Sequence, residues 1–329
     1  MKILITGADG VLGSNLVRVL LSRNYEVSVL LENKNNSFTL DGLDITKVRG
    51  DILNPEDIDN IIKDKDIVIH CAANTCIWPP RSEIVNKTNI NGTKNIINSV
   101  LKFNIKKLVY IGTANSFGFG SIENPGNETN PYLSKKYGLD YMDSKHQAQN
   151  LVLDAVRNQN LPAVVVNPTF IIGPFDSKPS SGAMILSIYK GKIPGYTKGG
   201  RNYIAAKDAA VGIANAITKG RIGECYILGN ENLRYKEAFE KISKTIGTKP
   251  LNIKLPNFIV KSYGYLCSLN AAITKKVPTI TYELSLISCE NHYYSAQKAV
   301  EELDLPQTPI EVGIEECFKW FKENNYLDN

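Results

Sequence analysis

Lys2-Ile3-Leu4-Ile5-Thr6-Gly7-Ala8-Asp9-Gly10-Val11-Leu12-Gly13 opens the chain, and the reading of this stretch decides the fold. An apolar run of strand length leads directly into a turn with glycine at 7, 10 and 13. Beyond it, Leu12, Leu16, Val19 and Leu20 recur at helical spacing. A strand, a glycine turn and a helix in that order place free N–H groups and the positive end of a helix dipole beside backbone that a ligand can approach closely. The context predicts a pyrophosphate loop. Its spacing, G-x-x-G-x-x-G rather than G-x-G-x-x-G, points to a subclass of dinucleotide-binding turns.

Downstream, strand-length runs alternate with helical stretches. Glu26 to Leu31, Ile45 to Arg49, Asp66 to His70, Lys107 to Ile111 and Pro162 to Val166 read as strands; a stretch after Pro55, Glu83 to Phe103 and Ser134 to Asn158 read as helices. This alternation predicts an α/β fold, a Rossmann-type doubly wound parallel sheet with helices on both faces. After Pro174 the texture changes: Phe175 to Arg201 carries Pro179, Pro194, Gly182, Gly191, Gly195, Gly199 and Gly200, which predicts a long irregular segment over a site. A helix at Asp208 to Thr218 and a strand at Glu224 to Leu228 predict a return to the sheet. The division expected is a dinucleotide-binding domain over 1–173, with a returning segment near 206–230, and a smaller, mainly substrate-binding cap over 174–329. Within the cap, Phe258 to Ile273 is apolar and reads as a packing helix, since it lacks the Lys/Arg-rich polar face of a membrane-interface helix.

Composition sets bounds on the rest. With 329 residues, 43% hydrophobic and 22% charged, the chain is neither disordered, fibrous nor a disulfide miniprotein. The net charge of +5 is mild, and no aromatic-studded basic stripe points to nucleic acid. The six cysteines form no C-x-x-C pair and have no His partner at zinc spacing, so no metal is expected. No apolar run reaches the roughly 18 residues of a membrane span, so stable membrane insertion is not expected. Met1-Lys2 leads too quickly into Gly7 for a secretory signal, and the cytoplasm is the compartment expected. The partner expected is a small-molecule substrate, and the chain is compatible with a homodimer.

Two further constellations carry chemistry. Tyr141 and Lys145 stand four apart in a predicted helix, so phenol and ammonium share one face. A neighbouring cation favours the phenolate and is expected to lower a pKa that ordinarily lies near 10. Thr113 follows the strand Lys107 to Ile111, and strand C-termini of an open α/β sheet line the ligand crevice, where a hydroxyl can hold a substrate oxygen.

With these residues in view, the sequence resembles an extended (atypical) short-chain dehydrogenase/reductase of the NAD-dependent epimerase/dehydratase family. Within that group it is most similar to the dihydroflavonol-reductase-like branch, which includes hopanoid-associated sugar epimerase-like proteins. The resemblance runs over nearly the whole chain, through Thr6 to Gly13, Gly50-Asp51-Ile52, His70-Cys71-Ala72-Ala73, Asn89-Ile90-Asn91-Gly92-Thr93, Tyr141 with Lys145, Asn167 to Pro174, and Tyr293 through Trp320. It implies Tyr141 as general acid/base and Lys145 as the residue that lowers its pKa and holds the nicotinamide ribose. Thr113 would bind the reacting oxygen. It further implies Gly7, Gly10, Val11, Leu12 and Gly13 along the pyrophosphate, Asp51 and Ile52 by the adenine, Ala72 and Ala73 along the phosphoribosyl path, Asn89 in a structural and proton-relay position, and Pro168, Thr169 and Phe170 near the carboxamide.

Departures from the branch narrow the reading. Many of its reductases carry Arg after the second strand for the 2′-phosphate of NADPH; this chain has Glu32, which suits a ribose 2′-hydroxyl, so NAD is favoured over NADP. Leu31 stands where NAD-using epimerases often carry Asp, and Lys34 is close enough in sequence to swing in. Arg201 matches an arginine that meets a diphosphate in nucleotide-sugar enzymes, although a loop arginine is more often solvated. Trp78 is a candidate pocket wall and His70 reads as packing. Ala114-Asn115 replaces the Asp-Glu pair of sugar 4,6-dehydratases, so dehydration is disfavoured. The leading reading is a nicotinamide-dependent oxidoreductase acting on a ketone or alcohol of a small, largely apolar or aromatic molecule. The alternative is a nucleotide-sugar epimerase using the same Tyr141 chemistry with retained NAD, and a cofactor-sensing binding protein stands third.

Overall fold

The computed structural model describes residues 1–32 and 37–328; Lys34 lies outside them. Along the first half run β1 (Lys2–Thr6), α1 (Val11–Ser22), β2 (Glu26–Leu31), β3 (Thr46–Arg49), α2 (Pro55–Ile62), β4 (Ile67–His70), α3 (Glu83–Asn86), α4 (Gly92–Lys102), β5 (Lys107–Ile111), α5 (Asp140–Gln159) and β6 (Ala163–Pro168). The second half holds β7 (Phe170–Ile172), α6 (Ala183–Tyr189), β8 (Gly200–Ala205), α7 (Ala206–Ala216), β9 (Cys225–Leu228), β10 (Glu231–Arg234), α8 (Tyr235–Ile246), α9 (Asn257–Thr274), α10 (Tyr282–Ser288), β11 (Asn291–His292), α11 (Gln297–Leu303) and α12 (Ile310–Glu323).

Seven parallel strands lie in the order β3-β2-β1-β4-β5-β6-β9. Alternation along each strand feeds two cores. Ile3 and Ile5 of β1 and Val109 and Ile111 of β5 point to the face covered by α1, α7 and α11. Leu4, Leu108 and Tyr110 point to the face covered by α2, α4 and α5. The register aligns Thr6 with His70, His70 with Tyr110, and Ile111 with Val166, so the turns after β1, β4 and β5 open at one edge of the sheet. Strand order reverses at β1, the position where open α/β sheets leave a crevice.

A second sheet is built on β8. It pairs antiparallel with β10 on one edge and parallel with β7 and the two-residue β11 on the other. These strands are two to six residues long, too short to announce themselves by alternation. The segment read as irregular from Phe175 to Arg201 instead contains α6 and the start of β8: its glycines and prolines bracket Met184, Ile185, Leu186 and Ile188, which pack inward. The helix expected from Ser134 to Asn158 is two pieces, a 3-10 turn at Ser134–Tyr137 and α5, parted by Gly138 in the left-handed region at φ 64°.

The strand expected to return from the sequence is β9, which completes the main sheet, and α7 before it packs on α1. Less expected, α11 returns there too. Asn215 Nδ2 donates to the Leu303 carbonyl at 2.7 Å, Lys298 Nζ to the Cys225 carbonyl at 2.9 Å, and Tyr226 Oη to Glu302 at 2.6 Å, while Ala299, Leu303 and Leu305 join the first core.

Phe258 to Ile273 is helical, as α9, but the packing role expected of it is corrected. Only Val260, Gly264 and Ala271 are buried; Phe258, Tyr265, Leu266, Leu269 and Ile273 are all exposed, Phe258 to 70% and Ile273 to 75%. The small residues let the helix lie close to α10, so its bulky ones are left facing outward.

Candidate active site

The turn after β1 is built by two glycines and opened by a third. Gly7 has φ 71°, and a Cβ there would stand 2.6 Å from the Ala72 nitrogen; at Gly13 a Cβ would stand 2.3 Å from the Gly7 carbonyl oxygen. Neither contact is tolerable, because both partners are main chain. Gly10 differs: a Cβ there would meet nothing nearer than 3.8 Å. It caps α1 without a side-chain hydrogen bond, and no acidic residue stands in the first turn, so the N–H groups around Val11, Leu12 and Gly13 keep their capacity for an anion. The residues present therefore fit a dinucleotide diphosphate: an open cradle at Gly10 and an uncapped helix end behind it.

The neighbouring turn is tied to this one. The Ala72 N–H donates to Thr6 Oγ1 at 3.2 Å, and Thr6 Oγ1 lies 2.7 Å from His70 Nδ1. His70 is buried between Thr6 and Thr93, and burial, with the charge of Lys145, pushes its pKa down to about 3; it is a packing residue, as read. Ala72 and Ala73 follow β4, partly exposed. Asp51 and Ile52 sit after β3, where Asp51 Oδ1 accepts from the Leu53 N–H at 2.8 Å and Ile52 packs on Gly92. The Glu32 carboxylate, at the end of β2, is exposed, and its carbonyl accepts from Arg49 at 2.7 Å.

Asn89 lies in a π-helical turn, Lys87–Asn91, between α3 and α4. Fully buried, it accepts from the Asn74 N–H at 2.7 Å, donates to the Asn74 carbonyl at 3.0 Å and donates to Ser144 Oγ at 2.9 Å. It thus clamps the loop after β4 to α5, the helix carrying Tyr141. Irregular turns of this kind gather at functional positions.

The structure brings Thr113, Tyr141 and Lys145 together at the C-terminal edge of β5. Thr113 stands beside the Tyr141 phenol, with its own Oγ1 accepting from the Asn115 N–H at 3.3 Å. Burial pushes that phenol above its ordinary value, and the neighbouring Thr113 hydroxyl opposes the rise. The lowering expected from Lys145 is corrected: Lys145 Nζ donates to the Ile111 carbonyl at 2.6 Å and lies 4.6 Å from the centre of the Tyr110 ring, so its charge is spent on the strand end rather than on the phenol. Burial lowers Lys145 itself to about 8.

Two residues with no sequence-assigned role position Thr113. Asn167, at the end of β6, donates through Nδ2 to the Thr113 carbonyl at 3.0 Å and to Gln149 Oε1 at 2.6 Å. Both are buried, and Gly112 is required beside them, because a Cβ there would stand 2.3 Å from Asn167 Nδ2. An amide in a strand otherwise made of Val164, Val165 and Val166 was the signal available in the sequence.

Tyr141 packs on an apolar cluster. Ile77, Phe119, Leu284 and Leu286 pack with it against Tyr137, Leu139, Met142 and Ile287. Tyr137 Oη bonds His292 at 3.0 Å, and the His292 ring lies 4.0 Å from that of Phe119. Trp78 is half-buried and precedes a cis proline, Pro79. Arg201 is in strand β8, not in a solvated loop: its guanidinium lies 4.4 Å from the Phe170 ring centre, and Nε donates to Tyr235 Oη at 2.9 Å. Pro168 is buried, and Thr169 turns its polar atoms to the scaffold, the hydroxyl to Asn202 at 2.8 Å and the N–H to the Leu228 carbonyl at 2.9 Å.

Known proteins resemble this chain in family and fold. Residues 3–229 match the model of the NAD dependent epimerase/dehydratase family. The chain is 30% identical to a putative dihydroflavonol 4-reductase of Synechocystis sp., over 98% of this chain and 95% of that one. It is 27% identical to a decarboxylating sterol-4-alpha-carboxylate 3-dehydrogenase of Candida albicans, over 98% of each. Among solved structures, that of gox2253 superposes with a TM-score of 0.86 at 31% identity, covering 98% of both chains.

Proposed function

The chain belongs to the NAD dependent epimerase/dehydratase family, and from that premise we propose that it is an oxidoreductase interconverting the ketone and alcohol of a small, largely apolar molecule. The observation that carries the reading is the Thr113–Tyr141 hydroxyl pair set against Ile77, Phe119, Leu284 and Leu286, with no carboxylate following Thr113. An apolar wall with a few placed polar groups is what an apolar carbonyl substrate requires. The names of two relatives, a putative dihydroflavonol 4-reductase and a sterol-4-alpha-carboxylate 3-dehydrogenase, support a substrate of that class.

The dinucleotide would lie along Gly7 to Gly13, Ala72 and Ala73, and when bound supplies the hydride. The chain's own part is the proton. Tyr141, held neutral by burial, gives its proton to the substrate oxygen in the reductive direction, and the Thr113 hydroxyl holds the same oxygen. Lys145, one turn further along α5 and tied to the Ile111 carbonyl, would hold the nicotinamide ribose. Glu32 at the end of β2 supports NAD over NADP, because its carboxylate would repel a 2′-phosphate.

A nucleotide-sugar epimerase is the second reading, favoured by Arg201: its terminal nitrogens make no hydrogen bond to the described residues, which leaves a fork free for a diphosphate. A panel of apolar ketones and nucleotide sugars, assayed with NADH and NADPH, separates the two. Turnover of the ketones by wild type, with Tyr141→Phe losing about a hundredfold or more in kcat at unchanged dinucleotide affinity, is expected. Full activity of Tyr141→Phe defeats the mechanism, and conversion confined to nucleotide sugars selects the second reading. Fluorescence titration with each dinucleotide tests Glu32; tighter binding of NADPH overturns its assignment.

A further inference from the structure

From the outer face of α9 we infer that this helix docks the protein on an anionic lipid surface, lying in the interface without crossing it. Among the described residues no helix is long and apolar enough to span a membrane. Phe258, Ile259, Tyr263, Tyr265, Leu266, Leu269 and Ile273 are each at least 47% exposed. At 3.6 residues per turn they share one arc of about 160°, and Val260, Gly264 and Ala271 fall on the opposite side, against α10. Ile253 before the helix and Val277 after it, 62% and 80% exposed, extend the patch at both ends. Contiguous apolar surface of this extent is uncommon on a protein that faces only water.

Charge selects the occupant. From Lys249 to Tyr282 the sequence holds five lysines, at 249, 254, 261, 275 and 276, and no Asp or Glu. The segment thus carries a charge of +5, equal to that of the entire chain, and the other 33 basic residues balance 33 acidic ones. Among the described residues none of the five lysines is in an ion pair, and four are exposed: Lys249 and Lys254 in the segment before α9, and Lys275 and Lys276 directly after it. An apolar face whose ends are ringed by unpaired lysines matches acyl chains beneath anionic headgroups. The same arrangement opposes a second copy of this chain as occupant, since two such faces would bring ten like charges together with no carboxylate between them.

The docking helix is rigidly mounted. A Cβ at Gly264 would meet Ser285 Cβ at 2.6 Å, and the Tyr282 N–H donates to Ser268 Oγ at 2.8 Å, so α9 and α10 move as one hairpin. Leu284 and Leu286 of α10 pack on the same cluster as Tyr141.

Flotation of the full-length protein with phosphatidylcholine vesicles, with and without phosphatidylglycerol, tests the proposal. Wild type is expected to float with the anionic vesicles, less at high salt, and to stay behind with the neutral ones. The triple variant Phe258→Glu, Leu266→Glu, Ile273→Glu is expected to lose binding about tenfold or more, and Lys275→Gln with Lys276→Gln several-fold, with thermal midpoint and dinucleotide affinity as in wild type. Absence of wild-type flotation, flotation indifferent to phosphatidylglycerol and to the lysine pair, or a wild-type dimer that the triple variant dissolves without vesicle binding would each overturn the inference. Only the last of these assigns the face to a second copy, and none depends on the substrate.

Discussion

Replacing Lys145 by Met is expected to make the protein inactive and more stable. Lys145 is 4% exposed, and burial lowers its pKa from 10.5 to about 8. At 1.36 kcal/mol per pKa unit, carrying the ammonium into the fold costs about 3 kcal/mol at neutral pH relative to the unfolded chain. The variant forfeits the hydrogen bond to the Ile111 carbonyl, worth about 1 to 2 kcal/mol, and keeps the apolar stem. Lys145→Met should therefore exceed wild type by about 1 to 2 kcal/mol at pH 7. The sign with pH follows from the two protonation states. Between about 8 and 10.5 the folded lysine has lost its proton and the unfolded one has kept it, so wild-type stability climbs across that window, whereas the Met variant has no group to titrate there. Urea unfolding of both proteins at pH 7, 8.5 and 10, without added dinucleotide, measures the difference. A Met variant weaker than wild type at pH 7, or a difference flat from pH 7 to 10, would show that the buried ammonium is not the burden described.

The glycines of the first turn should separate into two kinds. Gly10→Ala is expected to keep the wild-type melting temperature, because its Cβ meets nothing within 3.8 Å, and to lose about tenfold or more in dinucleotide affinity by calorimetry. Gly13→Ala, with a Cβ 2.3 Å from the Gly7 carbonyl, should lose about 3 kcal/mol of stability; equal melting of the two variants would refute the distinction. Asn167→Ala frees the Thr113 carbonyl and strands Gln149, so it should cost about 2 kcal/mol and lower kcat more than it alters dinucleotide Kd. An unchanged kcat in that variant would leave Asn167 with a purely structural part.

The main sheet was legible because its strands are buried on both faces and must be apolar throughout, as Ile3, Leu4 and Ile5 are; a short apolar run followed by glycine is a strong signal. The cap was not. Strands β7 and β11 are three and two residues long, and β8 draws its partners from segments thirty to ninety residues away, a pairing no local pattern encodes. The positions of Thr113, Tyr141 and Lys145 were readable from motif order, whereas the direction of the Tyr141 pKa was not. It depends on burial of the phenol in the folded chain, and on the Ile111 carbonyl capturing Lys145. Helix α9 was misread for a related reason: apolar composition marks a buried face only where something bulky covers it, and here Gly264 and Ala271 supply the contact.

The attachment of α11 has a consequence for where the main sheet stops. Strand β9 is the last of the seven, and its outer edge is stopped by side chains: the Ile227 N–H donates to Glu128 Oε1 at 2.7 Å and the Cys225 carbonyl accepts from Lys298 Nζ of α11 at 2.9 Å. An edge occupied by a carboxylate and an ammonium in place of bare N–H and C=O groups offers no template to a further strand, so the sheet ends at β9 without needing a proline or a bulge.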